Sequence, residues 1–180
     1  ALDAKTGAIL ALYSSPSFDP NALASRDAGE VQDAYATLDA DPKNPMLNRT
    51  ISERYAPGST FKVLTAIALI ENGIANPDTR MDSPVSTTLP GTNTEVSNIE
   101  SSTCGDGNPT LTEAFARSCN TTFVLASEKL TTQQLTDVTK RFGFGHEQEI
   151  PLTVIPSVFP SDADSAQLAM SSIGQYTVQA

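Results

Sequence analysis

The apolar residues of this chain are unevenly spaced, and their spacing divides it into elements. Ala8-Ile9-Leu10-Ala11-Leu12-Tyr13 is a continuous apolar run of strand length, preceded by Leu2 and the turn-forming Asp3-Ala4-Lys5-Thr6-Gly7. Residues 1–15 therefore read as a hairpin whose second strand is buried. Pro16 and Asp19-Pro20 end it. Residues 17–56 are polar and dotted with proline, the pattern of a long approach loop, with a short helix expected near 28–38. After Pro57-Gly58 a helix runs through Phe61-Lys62-Val63-Leu64-Thr65-Ala66-Ile67-Ala68-Leu69-Ile70, with Gly73 as its stop. Apart from Lys62 it is apolar on almost every face, which places it in the middle of a domain.

From 76 to 110 the composition shifts to Pro, Thr, Ser, Asn and Gly, so loops and short strands are expected there. Three helices follow, at 112–116, from Asn120 to about Lys129 and over about 132–142. A proline-punctuated stretch (Pro151, Pro156, Pro160) then leads to a last helix from Ala163 to Ser172. There is no internal repeat and no low-complexity tract. Helices with few strands fit a mainly helical subdomain of an α/β or α+β protein; the strands are too few for a complete sheet fold.

Composition narrows the function classes. With 180 residues, 39% hydrophobic and 18% charged, the chain is long enough for one domain with a core and is not of disordered type. No stretch reaches the ~20 apolar residues of a membrane span. Ala1 opens directly in a predicted strand, with no leader, so the chain reads as either cytoplasmic or a trimmed piece of a longer protein. The 21 Asp and Glu against 11 Lys and Arg leave a net charge of −10, and no basic run relieves it. Such a surface repels nucleic acid and anionic headgroups. One histidine, His146, and two cysteines supply too few ligands for a metal site, and no cofactor is expected. His146 sits in the polar loop Gly-Phe-Gly-His-Glu-Gln-Glu, and nothing frames it as part of a Ser-His-Asp triad.

Chemistry is carried instead by Ser59-Thr60-Phe61-Lys62. Positions i and i+3 share a helix face, so hydroxyl and amine lie within reach of each other. A lysine among Phe61, Val63 and Leu64 near a helix N-terminus meets desolvation and a positive dipole end, both of which disfavour the ammonium. A neutral amine can take the serine proton and make a nucleophile of the alcohol. The first helical turn also presents free N–H groups to an oxyanion. With 18 serines and five lysines in 180 residues, chance alone gives 18×5/180, about 0.5 Ser-x-x-Lys pairs, and one is found, so the bare spacing is weak evidence. Its setting after Pro-Gly, on an otherwise apolar helix, is what singles it out. Ser118-Cys119-Asn120, on a turn between helices, can aim hydroxyl and amide into one cleft; the plain alternative is that Ser118 or Asn120 caps the following helix.

Together, Pro57-Gly58-Ser59-Thr60-Phe61-Lys62 and Ser118-Cys119-Asn120-Thr121 resemble the first two motifs of penicillin-binding transpeptidases and serine β-lactamases. The resemblance extends to Asp3-Ala4-Lys5-Thr6-Gly7-Ala8-Ile9-Leu10-Ala11, to Ser15-Pro16-Ser17-Phe18-Asp19-Pro20-Asn21, to Asn44-Pro45-Met46-Leu47-Asn48-Arg49 and to Ser172-Ile173-Gly174-Gln175, and so spans nearly the whole chain. It points to class B, monofunctional transpeptidases, since no Glu-x-x-Leu-Asn of class A β-lactamases follows Asn120.

The resemblance implies a transpeptidase-like α/β (α+β) fold, of which residues 1–180 cover the helical subdomain and the opening hairpin. It implies a D,D-transpeptidase cross-linking peptidoglycan at the extracytoplasmic face of the bacterial membrane, with Ser59, Lys62, Ser118 and Asn120 as its catalytic residues. The partners would be D-Ala-D-Ala pentapeptide stems, β-lactam antibiotics and the cell-wall synthesis machinery, with no nucleic acid. A membrane anchor would precede Ala1. The third motif, Lys-Thr/Ser-Gly on a strand edge, would follow Ala180; Lys5-Thr6-Gly7 has its letters but turn composition. Cys104 and Cys119 would then be extracytoplasmic and read as a disulfide, or else as two buried thiols. A carboxypeptidase or β-lactamase of the same fold, and a non-catalytic β-lactam sensor, remain alternatives.

Overall fold

The computed structural model describes residues 1–148 and 150–180; Glu149, at the end of the polar loop expected around His146, lies outside the described residues. The chain forms two compact units. One comprises Ala1–Glu53 with Ile150–Ile155, the other Arg54–Glu149 with Pro156–Ala180.

The first unit is held mainly by turns and caps. Asp3 Oδ1 accepts hydrogen bonds from the Lys5 and Thr6 N–H groups and from Thr6 Oγ1, closing the turn over which Leu2 and Ile9 bridge in antiparallel fashion. The buried strand expected over Ala8–Tyr13 is not found. Leu10 is 67% and Tyr13 78% exposed. A strand buries side chains only where another layer covers its faces. Here the run has the short arm Ala1–Asp3 along one edge, through Leu10 N–H to Ala1 O at 2.9 Å and Asp3 N–H to Ala8 O at 2.9 Å. Helix α1 (Ala28–Asp39) matches the expected helix; Asp27 Oδ1 accepts from the N–H groups of Gly29 and Glu30. Helix α2 (Arg49–Ser52) opens on Asn48, and Ser14 Oγ ties it down by donating to Leu47 O and accepting from Arg49 N–H.

The second unit holds the hydrophobic core. Helix α3 (Lys62–Glu71) follows a 3-10 turn over Gly58–Phe61. Strands β1 (Ser86–Thr88) and β2 (Glu95–Ser97) pair antiparallel, with Thr87 opposite Val96. Helices α4 (Leu111–Ala116), α5 (Asn120–Ser127), α6 (Thr132–Arg141) and α7 (Ser165–Ser171) complete it. The core joins Phe61, Leu64 and Leu69 to Leu111, Phe123, Val124, Leu135, Val138, Leu168 and Val178. Phe61 also stacks on Phe159 and meets Phe144 edge-on.

The helix ends differ in a telling way. Helices α4, α6 and α7 each open with a capping box, Thr110 with Glu113, Thr131 with Gln134, and Asp164 with Gln167. Helices α3 and α5, which begin at Lys62 and Asn120, have no side-chain cap of their own. The all-round apolar character of α3 is only half used. Its Lys62, Leu64, Thr65, Ala68 and Leu69 are buried, whereas Val63 and Ile70 are exposed and line an open groove with Ala66, Ile67, Pro77, Leu111, Thr112 and Phe115.

Candidate active site

Ser59 is positioned by the backbone beneath it. Gly58, at φ +57°, donates its N–H to Gly174 O at 2.9 Å, and Gly174, at φ +72°, presses its Cα against the Gly58 carbonyl so closely that a Cβ there would overlap it. Both positions favour glycine for their left-handed backbone, and at Gly174 the contact excludes any side chain as well. Tyr55 and Ala180 exchange backbone hydrogen bonds at 3.0 and 2.9 Å just upstream. Thr65 Oγ1 donates to Ser172 O at 2.7 Å, and Ser172 Oγ lies 2.7 Å from Ala169 O and 3.3 Å from Phe123 O. Ser172-Ile173-Gly174-Gln175 is thus the floor under the Ser59 turn, a role that its letters alone did not announce. Ser59 itself is exposed, in the 3-10 turn whose Ser59 and Thr60 carbonyls accept from Lys62 N–H.

Lys62 is the reverse case, 1% exposed and surrounded by acceptors. Its Nζ donates to Ser118 O at 2.8 Å, to Ser118 Oγ at 3.0 Å and to Asn120 Oδ1 at 2.7 Å. The Phe123 ring centroid is 5.6 Å away, within cation–π range. Burial pushes the Lys62 ammonium down to about 8, from an ordinary 10.5.

The identity of the three acceptors has a chemical consequence. Two of them, a backbone carbonyl and an amide oxygen, cannot donate. A charged Lys62 has three N–H bonds and satisfies all three partners. A neutral Lys62 has two, which the obligate acceptors take, so its lone pair is left for a hydroxyl. The structure therefore brings Lys62, Ser118 and Asn120 together directly. Ser59, one helical turn ahead of Lys62, has no hydrogen bond to the amine among the described residues.

The Ser118–Asn120 turn is itself tightly held. Ser118 adopts φ +57°, a left-handed conformation uncommon outside glycine. Ser118 N–H bonds to Phe115 O at 3.0 Å and Cys119 N–H to Ala114 O at 2.9 Å, ending α4. Cys119 is joined to Cys104 as a disulfide. Asn120 Nδ2 donates to Ser97 O at 3.0 Å, at the end of β2, which leaves its Oδ1 facing Lys62. The plain reading of Asn120 as a helix cap is thus displaced, because its amide is spent on Lys62 and β2. His146 is exposed, its N–H on Gly143 O. Among the described residues no three His, Cys, Asp or Glu side chains gather as a metal site, and no helix is long and apolar enough to cross a membrane.

Comparison with known proteins gives the same picture. Residues 1–178 match the family described as penicillin binding protein transpeptidase domain. The peptidoglycan D,D-transpeptidase PbpA of Mycolicibacterium smegmatis is 45% identical over 99% of this chain, which spans 36% of that protein. The PbpA of Mycobacterium tuberculosis is 41% identical, again over 99% of this chain and 36% of the relative. Among solved structures, the imipenem acyl-enzyme complex of penicillin-binding protein A from M. tuberculosis superposes with a TM-score of 0.91 at 40% identity, covering 99% of this chain and 41% of that one. The mixed fold, helical with one short antiparallel strand pair among the described residues, is accordingly the helical part of a transpeptidase domain. A match of this extent at this identity leaves one reading of its ancestry: the chain belongs to the penicillin-binding protein transpeptidase family.

Proposed function

We propose that the protein carrying this chain is a serine D,D-transpeptidase that cross-links peptidoglycan stem peptides, with Ser59 as nucleophile, Lys62 as general base, and Ser118 and Asn120 as the groups that set Lys62 in place. The observation that carries this reading is the Lys62 cage, a buried amine whose two obligate acceptors free its lone pair for a hydroxyl once it is neutral. Ser59 Oγ attacks the carbonyl carbon of the penultimate D-Ala while its proton passes to Lys62. The tetrahedral adduct collapses, the C–N bond to the terminal D-Ala breaks, and the departing amine takes a proton. The Ser59 ester then passes its acyl group to an amine of a neighbouring stem, and Ser59 regains its proton. A β-lactam amide enters the same first step; because its leaving nitrogen stays tethered in the adduct, the ester persists.

The chain spans 36% of the length of the PbpA proteins of M. smegmatis and M. tuberculosis. On this proposal the third motif lies in sequence beyond Ala180 and an anchor in sequence before Ala1. The location follows from the substrate, the outer face of the cell membrane beside other components of cell-wall synthesis. Intact-mass analysis of the full-length protein after penicillin tests the core of this reading. One adduct mapping to the Ser59 peptide is expected, and none in Ser59→Ala; a full-strength adduct in that variant rules the assignment out. Transfer of the acyl group to an added D-amino acid marks a transpeptidase, rapid release of hydrolysed drug a hydrolase, and a stable adduct without transfer a sensor.

A further inference from the structure

Under the Ser118–Asn120 turn lies a second polar cluster that takes no part in the chemistry above. Asn98, directly after β2, is 7% exposed, and Ser83 and Thr121 beside it are fully buried. Asn98 Nδ2 donates to Pro84 O at 2.9 Å and Ser102 O at 3.2 Å. Its Oδ1 accepts from Thr121 N–H at 3.0 Å and Thr121 Oγ1 at 3.2 Å. Thr121 is the second residue of α5, the helix whose own Cys119 supplies no cap. The free N–H at that helix end is therefore satisfied by a side chain 23 residues upstream. The residue before Asn98 does the matching job for the neighbouring amide, since Ser97 O receives Asn120 Nδ2.

From this arrangement we infer that Asn98 is a positioning residue for acylation: by capping α5 from the end of β2, it fixes the helix register that holds Asn120 and Ser118 around Lys62. The inference rests on the proposed function for its meaning, but its geometry is independent of Ser59. Asn98 touches no reacting atom and acts through Asn120. Loosening the α5 end would let the Ser118–Asn120 turn move off the lysine and admit water. Burial is the sole cause of the depressed Lys62, so water raises it again. The ionisable groups on and beside the helices packed against α3 are Glu113, Arg117, Glu128, Asp137, Lys140 and Arg141, and the depression of Lys62 is traced to burial rather than to any of them.

The test uses the full-length protein and the rate of acylation by a fluorescent penicillin across pH. Asn98→Ala should slow acylation at pH 7 by roughly 10- to 100-fold, the scale of a misplaced catalytic group, and move the rising limb upward from about 8. Asn98→Ser, a milder truncation that adds no buried charge, should slow acylation less than alanine and move the limb in the same direction. Thr121→Val removes the hydroxyl but keeps the capped N–H, and should leave the limb where it was. An alanine variant with lowered melting temperature but an unmoved limb reduces Asn98 to a structural asparagine and overturns the inference. Should the alanine variant fail to fold, the serine variant decides alone: a raised limb supports the inference, an unmoved limb refutes it. A wild-type protein that forms no Ser59 adduct would strike the transpeptidase reading only. The Lys62 resonance in carbon-13 lysine-labelled protein, assigned with Lys62→Arg, would still report whether Asn98 holds its midpoint.

Discussion

Two tight turns in this chain carry the letters of a transpeptidase site, Asp3–Gly7 and Ser118–Asn120, and the structure treats them in opposite ways. In the first, one carboxylate satisfies the turn locally: Asp3 accepts from Lys5, Thr6 and the Thr6 hydroxyl, all exposed, and these bonds hold its carboxyl below the usual range. In the second, partners come from far along the chain. Lys62 reaches Ser118 and Asn120 across 56 and 58 residues, Ser97 reaches Asn120 across 23, and a disulfide adds Cys104. A turn closed by its own side chain is a finished local object that solvent can surround. A turn closed by distant groups is buried, and burial is what shifts a lysine and gives its neighbours chemical consequence.

The contrast is broken most severely at Lys62. Lys62→Arg keeps the positive charge but cannot deprotonate near neutrality. Loss of a general base costs on the order of 10²- to 10⁴-fold, and acylation of the full-length protein should fall by that amount in stopped-flow penicillin trapping. A near-normal rate in the arginine variant would make Lys62 a purely electrostatic cation.

Gly174→Ala ranks next. The added Cβ has nowhere to go but into the Gly58 carbonyl, at a backbone conformation that alanine also resists. Clash and strain together should cost about 2 to 4 kcal/mol of stability and displace Ser59 enough to slow acylation by roughly 100-fold. Denaturation and trapping rates measure both; an unchanged rate would mean that the Ser172–Gln175 segment does not place the nucleophile.

Reduction of Cys104–Cys119 acts on the turn itself. Its loop spans a separation of 15 residues, for which the chain-entropy model gives about 3 kcal/mol. Reduced protein should unfold at lower denaturant and acylate more slowly, because the strained Ser118 loses its clamp. Equal rates in reduced and oxidised protein would separate the disulfide from the site.

A pH titration sharpens the comparison without mutation. Lys62 is held at about 8 in the folded chain and returns to an ordinary value near 10.5 on unfolding. Between those values the unfolded state binds more protons, so the Lys62 contribution to stability rises with pH over that window. Acylation of Ser59, which needs the neutral Lys62 amine, should rise through the same folded midpoint near 8. Both trends should vanish in Lys62→Met.

At the bottom of the scale, Lys5→Ala and Thr6→Ala should leave acylation within about twofold, as exposed changes usually do. A larger loss at either position would return Lys5-Thr6-Gly7 to the site and upset the comparison.

Much of this was legible in the sequence because it is local. The six-residue string Pro57–Lys62, the helix periodicities of α3 to α7 and the Asp3–Gly7 turn all depend on neighbours a few positions away, which the chain itself supplies. What proved wrong was also a local rule applied where it lacks force. Ala8–Tyr13 is apolar enough for a buried strand, yet it lies exposed, because burial depends on what covers a segment and not on what it is made of. Only the tertiary structure decided the rest: that Lys62 turns to Ser118 and Asn120, that Gly174 lies against Gly58, and that Asn98 caps a helix beginning 22 positions after it. Those contacts join segments far apart in the chain, and no local period sets their geometry. They are set by how the helices and the β1–β2 pair fill one core, which is a property of the packed whole.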